Sequence, residues 1–300
     1  MLKEQIDSIL SSSSHVERDI ISLFESIGSD LPVVPLVLVS GSKVIRGAIN
    51  WTPRHFTEVN QLSYKPERMN TQYLRASVPG KTMFYACPFT HSPTFDNGVF
   101  IPRLTSLMEI RSVITEVERD GVQRVTFSRW DTTNNIKLFA LPFLVEYKKP
   151  CDEIEYIQQE WSKNVNTDEF SPEAIELLRY LSQDISALKQ RSVDYMFTAL
   201  FIDWFLSKHP DYSGIYYPSV QTEGEGANVA LLPNVIDSGI VQFIEATECW
   251  VIKRGMRSEM IMAFELTPNN GRLDIRPYNV LDQISAMPNP IPLEGLTFLN

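Results

Sequence analysis

Three short segments carry side chains better suited to chemistry than to scaffolding. In Tyr73-Leu74-Arg75-Ala76-Ser77-Val78-Pro79-Gly80 an arginine stands just ahead of a Pro-Gly turn. A guanidinium placed where the chain reverses can point into a cleft and clamp a phosphate or carboxylate through two parallel hydrogen bonds. Tyr85, in the nearby Phe84-Tyr85-Ala86, offers a ring face and a hydroxyl to a ring-shaped ligand. In Thr105-Ser106-Leu107-Met108-Glu109-Ile110 the Glu109 carboxylate could hold a ribose hydroxyl or polarise a water. The third segment runs Gly214-Ile215-Tyr216-Tyr217-Pro218-Ser219-Val220 and resumes, after a polar loop, at Asn228-Val229-Ala230-Leu231-Leu232. Ser219 and Asn228 can bind a phosphate or an amide without acting as nucleophiles. The glycines of a hydrolase elbow are missing around Ser219, and no histidine stands in an obvious relation to it. Each feature has a plain alternative. Arg75 could lie on the surface, Tyr85 could be half-buried core, and Glu109 could be a solvated residue near a helix start, favoured by the helix dipole. Glu116 and Glu118, farther along the same helix, read as ordinary solvated residues.

Periodicity gives the scaffold around these residues. Residues 2–28 keep helical spacing, with a break at the Ser11–Ser14 run and a stop at Gly28 and Pro32. The Val- and Ile-rich stretch from Val33 to Trp51 reads as one or two strands around a Ser-Gly-Ser turn. Residues 52–74 are polar and without period, a loop long enough to suggest a functional one. Lys81–Cys87 reads as a strand, Leu104–Val117 as a helix, and Val122–Trp130 and Ile136–Val145 as strands. The span 152–208 is the most helical, with Glu153–Trp161, Pro172–Leu188 and Asp194–Lys208, and with Ser171-Pro172 as an N-cap and first-turn pair. Strands then come at Ile215–Val220, Asn228–Leu232, Ile240–Thr247, Cys249–Arg254 and Met260–Leu266, before a proline-rich, irregular end. Strand and helix do not alternate regularly, which disfavours a doubly wound parallel sheet and favours an α+β fold with a mixed, largely antiparallel sheet. Neither a Rossmann fingerprint nor a P-loop is present.

Composition narrows the partners. The chain has 300 residues, 43% of them hydrophobic, enough to bury a large core. Lys and Arg total 27 against 37 Asp and Glu, a formal net charge of -10. Such a chain is repelled by phosphate backbones and anionic lipid, so neither nucleic acid nor membrane is expected as a partner. One or two placed arginines would still suffice for a small anion. Cys87, Cys151 and Cys249 are far apart and odd in number, and read as buried small hydrophobes. Four scattered histidines leave no metal-ligand spacing, so no metal is expected. No signal peptide or bilayer-length apolar run is visible, which points to the cytoplasm.

Together the three segments resemble the RES domain, a family named for its Arg, Glu and Ser. Arg75-Ala76-Ser77-Val78-Pro79-Gly80 with Phe84-Tyr85-Ala86 is similar to the family's R-x-N-x-P-G and L-Y-x-A, with Ser77 where the family usually has Asn. Thr105–Glu109 is similar to its T/L-A-L-x-E, displaced by an inserted loop at about 88–102. Gly214–Val220 with Asn228–Leu232 is similar to G-I-x-Y-x-S and N-L-x-L-F. Arg46, in Val44-Ile45-Arg46-Gly47, is similar to a strand arginine that often precedes the first motif. The resemblance spans roughly 42–235. It implies an architecture like that of ADP-ribosyltransferases, with an N-terminal helical segment at 1–31, a catalytic domain at 32–300 and a helical insertion near 152–208. It implies a toxin that consumes NAD+ by hydrolysis or phosphorolysis at the nicotinamide–ribose bond, with an antitoxin protein as partner. Arg75, Glu109 and Ser219 would be catalytic, and Arg46, Tyr85, Tyr217 and Asn228 would bind the dinucleotide. In detail, Arg75 would clamp the pyrophosphate, Tyr85 would stack on the nicotinamide end, Ser219 would position the ribose or nicotinamide side, and Asn228 would support its loop. Transfer of ADP-ribose to a macromolecule, and a non-catalytic nucleotide-binding module, are the competing readings. The N-terminal helix could cap the core, form a homo-oligomer or engage the antitoxin.

Overall fold

The computed structural model describes residues 2–12, 15–94, 99–110, 119–141, 146–165, 169–187, 189 and 191–299. It is a mixed α+β fold built on one open, mostly antiparallel sheet. Two N-terminal helices, α1 (Leu2–Ser12) and α2 (Val16–Ile27), flank the expected serine break, of which Ser13 and Ser14 lie outside the described residues. The Val33–Trp51 stretch forms two strands, β1 (Val34–Leu38) and β2 (Lys43–Ile49), turned at Gly41 with φ of 86°. They do not pair with each other, because each goes to a different half of the sheet. The loop at 52–74 holds only two short 3-10 turns, Val59–Leu62 and Glu67–Met69.

Strand β3 (Phe84–Pro88) leads into the small hairpin β4 (Thr90–His91) and β5 (Val99–Phe100), then into helix α3 (Pro102–Glu109). The helix expected over Leu104–Val117 therefore begins two residues earlier. The rest of the expected span, Glu116 with it, and Glu118 lie outside the described residues, as does the end of the strand expected to reach Val145. Leu104, read as a core position, is 40% exposed, while Leu107 is buried. Strands β6 (Gly121–Thr132) and β7 (Ile136–Ala140) lead to the helices α4 (Asp152–Asn164), α5 (Pro172–Ile185) and α6 (Met196–Lys208). Ser171 caps α5, its hydroxyl accepting from the Ala174 amide at 3.1 Å, with Pro172 in the first turn where no N–H partner is needed.

The chain then adds β8 (Gly214–Pro218), β9 (Ala227–Leu231), the short α7 (Pro233–Asp237) and a long meander, β10 (Val241–Arg254), β11 (Arg257–Asn269) and β12 (Arg272–Pro277). The two strands expected at Ile240–Thr247 and Cys249–Arg254 are one strand. Its pairing with β11 shifts register between Glu248 and Cys249, where β11 carries the extra residue Ala263, and the ladder continues past it. The end of the chain is less irregular than its prolines imply, with α8 (Val280–Ala286) and β13 (Phe298–Leu299).

Sheet order is β1-β7-β8-β9-β3-β2-β6-β10-β11-β12, with β13 beside β6. Pairing is antiparallel except β7 with β8 and β13 with β6. The two halves meet only at Val44 opposite Pro88 and Ile45 opposite Cys87. Beyond that junction the strands part: β3 continues along β9, and β2 continues along β6. The main core lies on the β7–β8–β9 half. Helix α6 is mostly apolar, and Met196–Ile202 and Trp204–Leu206 are buried, with Asp203 at the surface paired to Lys81. Phe201 of α6 touches Phe24 of α2 edge-on, with ring centres 5.4 Å apart, and Phe139 of β7 on its other side at 6.2 Å. The N-terminal helices thus pack on the helical insertion.

Candidate functional site

The parting of β2 and β3 opens a cleft. A cavity of about 370 Å³ lies there, and Arg46, Arg75, Tyr85, Glu109, Tyr217 and Asn228 all line it. Residues that are up to 182 positions apart, from Arg46 to Asn228, therefore face one space. Ser219, the remaining candidate, does not line it. Its side chain is fully buried and acts through Glu109. Ser219 thus positions the Glu109 carboxylate.

Glu109 is the last residue of α3 and not near its start. A carboxylate at that end meets the negative pole of the helix dipole, so the helix does not favour it there. Two neutral donors hold it instead. The Ser219 hydroxyl donates to Glu109 Oε1 at 2.7 Å, and Asn228 Nδ2 donates to the same oxygen at 3.0 Å. Among the described residues, Oε2 has no hydrogen-bond donor and is left for a ligand. The amide of Asn228 is oriented from its other side, where the Cys87 thiol donates to Oδ1 at 3.2 Å. Burial and the nearby Glu109 charge push the Cys87 thiol well above its usual range, so it stays protonated and serves as a donor. Asn228 thus bridges Cys87 and Glu109.

Local geometry places each group. Gly47 of β2 faces α3 so closely that a Cβ there would lie 2.5 Å from Ser106 Oγ and 3.3 Å from Ile110 Cδ1. Only glycine lets α3 come down onto the sheet and deliver Glu109 to the cleft. Gly214 has the same function at the base of β8, where a Cβ would sit 2.2 Å from the Ala230 carbonyl oxygen. Past β8, the Ser219 amide donates to Gly226 O at 2.9 Å and the Gly224 amide to Ser219 O at 3.0 Å. Those bonds close the loop that carries Ser219 back toward Asn228.

Arg75 sits at the tip of its own tight turn, closed by Leu74 and Ser77 exchanging N–H···O bonds of 2.9 and 3.3 Å. Ser77, the departure from the family pattern, uses its hydroxyl in a 2.7 Å bond with the Tyr85 hydroxyl, which also accepts from the Ala76 amide at 3.1 Å. The Tyr85 hydroxyl is thereby committed to fixing the arginine turn, and its ring remains for the cavity. Burial raises the Tyr85 pKa to about 12, so the phenol stays neutral. Tyr217 is buried and its phenol is likewise held neutral by desolvation.

The two arginines are the cations of the site. Arg46 Nη1 donates to Tyr85 O at 2.8 Å, satisfying a carbonyl that lost its strand partner where the sheet parts. Its Nε is buried without a hydrogen-bond partner among the described residues, and burial lowers the guanidinium pKa to about 10. Arg75 donates to the Ile185 carbonyl and lies over the Tyr195 ring, 5.4 Å from its centre. Among the described residues neither guanidinium has a carboxylate within ion-pair distance. Desolvated arginine without a counter-ion is costly, and an anionic ligand would relieve that cost.

Sequence reasoning did not single out the residues of the helical insertion that wall the cavity. Ser192 and Tyr195 line it, and Ile185 anchors Arg75. No local signal could have marked them, since they lie more than a hundred residues from Arg75. Among the described residues no group of three or more His, Cys, Asp or Glu is placed to hold a metal ion, and no helix is long and apolar enough to cross a membrane. No known protein family, curated protein or solved structure matches the chain.

Proposed function

We propose that this chain consumes NAD+ by cleaving the nicotinamide–ribose bond, and that it acts as a growth-inhibiting toxin of the kind the RES resemblance implies. The observation that carries the reading is the Glu109 carboxylate. It is fixed through one oxygen by Ser219 and Asn228 and faces a cavity that also holds two arginines without carboxylate partners among the described residues. Arg46 and Arg75 bind the pyrophosphate, and the Tyr85 ring lies against the nicotinamide end. As the bond breaks, the pyridinium nitrogen keeps the bonding pair and leaves as neutral nicotinamide. Positive charge then develops on the ribose. Glu109 Oε2 stabilises that charge more than it stabilises the bound substrate, which lowers the barrier. Water attacks the ribose C1′ and gives ADP-ribose and a proton, or an anionic phosphate oxygen attacks it and gives the phosphorylated form.

NAD+ loss with product identification, in the presence and absence of phosphate, tests this reading against an Arg75→Ala variant. The wild type should consume NAD+ and the variant should lose at least about a hundredfold in kcat/KM. Equal rates in the two proteins, or no consumption by the wild type, would refute it.

A further inference from the structure

The turn that carries Arg75 lies outside the sheet and is tied to it through the Tyr85 hydroxyl, which meets the Ala76 amide and the Ser77 hydroxyl. Those bonds fix the backbone of the turn. They do not aim the long arginine side chain, which keeps its rotamer freedom until something packs against it. We propose that Tyr195 and Ser192 of the helical insertion are positioning residues that aim Arg75 at its anionic ligand. That this ligand is a pyrophosphate rests on the proposed NAD+ chemistry.

Three contacts from the insertion converge on the turn. The Ile185 carbonyl accepts from Arg75 Nη1, and the Tyr195 ring lies against the guanidinium with its centre 5.4 Å away. The Ser192 hydroxyl donates to Tyr73 O at 3.0 Å, two residues ahead of Arg75. A carbonyl, a ring and a hydroxyl are all neutral. They hold the guanidinium in place without cancelling its charge, which stays available to an anion.

The insertion is itself braced to do this. Arg191 and Asp194 close the 3-10 turn Ser192–Tyr195 that leads into α6, with Nη2 to Oδ1 at 2.7 Å and the Arg191 amide donating to Oδ2 at 3.1 Å. The Tyr195 hydroxyl donates to Lys189 O at 3.3 Å, which sets the direction of the ring. Lys189 Nζ lies 5.3 Å from the same ring centre, but it is paired with Asp184 Oδ2 at 2.5 Å, and the Thr198 hydroxyl also donates to that oxygen. Two cations therefore share one ring. Lys189 is matched by a carboxylate inside the fold, which offsets its repulsion of Arg75, and Arg75 has no carboxylate within ion-pair distance among the described residues. A ring that served only as packing would need no second brace on its hydroxyl and no cation aimed from the ligand cavity.

Calorimetric titration with inorganic pyrophosphate tests the assignment on the wild type, Tyr195→Leu, Tyr195→Phe, Ser192→Ala, Arg75→Ala and the Arg75→Ala/Tyr195→Leu double variant, alongside the NAD+ kinetics of each. Tyr195 and Ser192 are half-buried, so these substitutions leave the core in place. Tyr195→Phe keeps the ring and should bind pyrophosphate nearly as the wild type does. Tyr195→Leu should bind it about tenfold more weakly and Ser192→Ala about threefold. Without Arg75, the change of Tyr195 to Leu should make no further difference, because the ring acts only through the guanidinium. The KM for NAD+ should rise in the same order while kcat is kept. No pyrophosphate binding by the wild type, equal binding by Tyr195→Leu, an equal loss in Tyr195→Phe, or the same loss with and without Arg75 overturns the assignment even if NAD+ is consumed. The expected binding pattern in proteins that leave NAD+ intact upholds it and overturns the cleavage chemistry.

Discussion

Two glutamates on this fold are treated in opposite ways. Glu248 of β10 is fully buried and meets a cation: Arg124 Nε donates to its Oε1 at 2.8 Å. His55 Nδ1 lies 2.9 Å from its Oε2, and Asn50 Nδ2 donates to the same oxygen at 3.2 Å. Thr126 Oγ1 in turn donates to Asn50 Oδ1 at 2.9 Å, so both carboxylate oxygens and their partners are satisfied. Glu109 has only neutral donors, on one oxygen, while Arg46 and Arg75 stand across the cleft without carboxylates among the described residues. The first arrangement is a closed knot that pins the 52–56 loop and the end of β2 to the sheet. The second is left open on both signs of charge. A scaffold satisfies its charges internally, whereas a binding site keeps them for something else.

Exchanging the charge at each glutamate should separate the two. Glu248→Gln leaves Arg124 buried beside a neutral amide and should lower unfolding free energy by about 3–5 kcal/mol, measured from denaturant midpoints. A loss below about 1 kcal/mol would mean that the knot is not a structural clamp. Glu109→Gln should behave inversely. It should keep the denaturation midpoint and lose about 10²- to 10³-fold in NAD+ turnover, since the carboxylate contributes at the transition state. Unchanged turnover would break the comparison and the proposed chemistry with it.

Gly47→Ala probes how the open glutamate is delivered. The added methyl meets Ser106 and Ile110, and overpacking of this kind should cost about 1–3 kcal/mol while lifting α3. Turnover should fall with it, and Tyr85 should stay in place. A variant as stable and active as the parent would show that α3 tolerates displacement.

The smallest effect concerns an exposed pair on the β4–β5 hairpin. The hydrogen bond from His91 to Glu153 Oε1, 3.0 Å, raises the imidazole pKa above its usual 6.5. Because the folded value is the higher one, the stabilisation is complete below the unfolded pKa and disappears as pH rises through the folded pKa. Its size at this exposure is below about 1 kcal/mol. Between about pH 6 and pH 8 the wild type should lose slightly more melting temperature than His91→Gln. Parallel curves would show that the pair contributes nothing beyond solvation.

Much of the scaffold is legible in the sequence because it is local. Helical spacing marks α2, α4, α5 and α6, and the Ser171-Pro172 pair marks where α5 begins. Boundaries fail where tertiary contacts override pattern. A charged residue, the buried Glu248, sits in mid-strand and hides the continuity of β10, and Leu104 looks like core but faces solvent. At the site, residue type and local form single out Arg75, Glu109 and Asn228. They do not show that Ser219 works through Glu109, that Cys87 orients Asn228, or that Tyr195 of the insertion underlies Arg75.

Composition and short-range spacing fix the acidic, α+β character of the chain, the order of its elements and the side chains with chemistry to offer. Each of these is a property of residues close together along the chain. The parting of the sheet between β2 and β3 is not, and neither is the closing of one glutamate by Arg124 while another stays open beside two arginines. Those outcomes depend on which distant strands pair and for how many residues, and they exist only once the chain has folded.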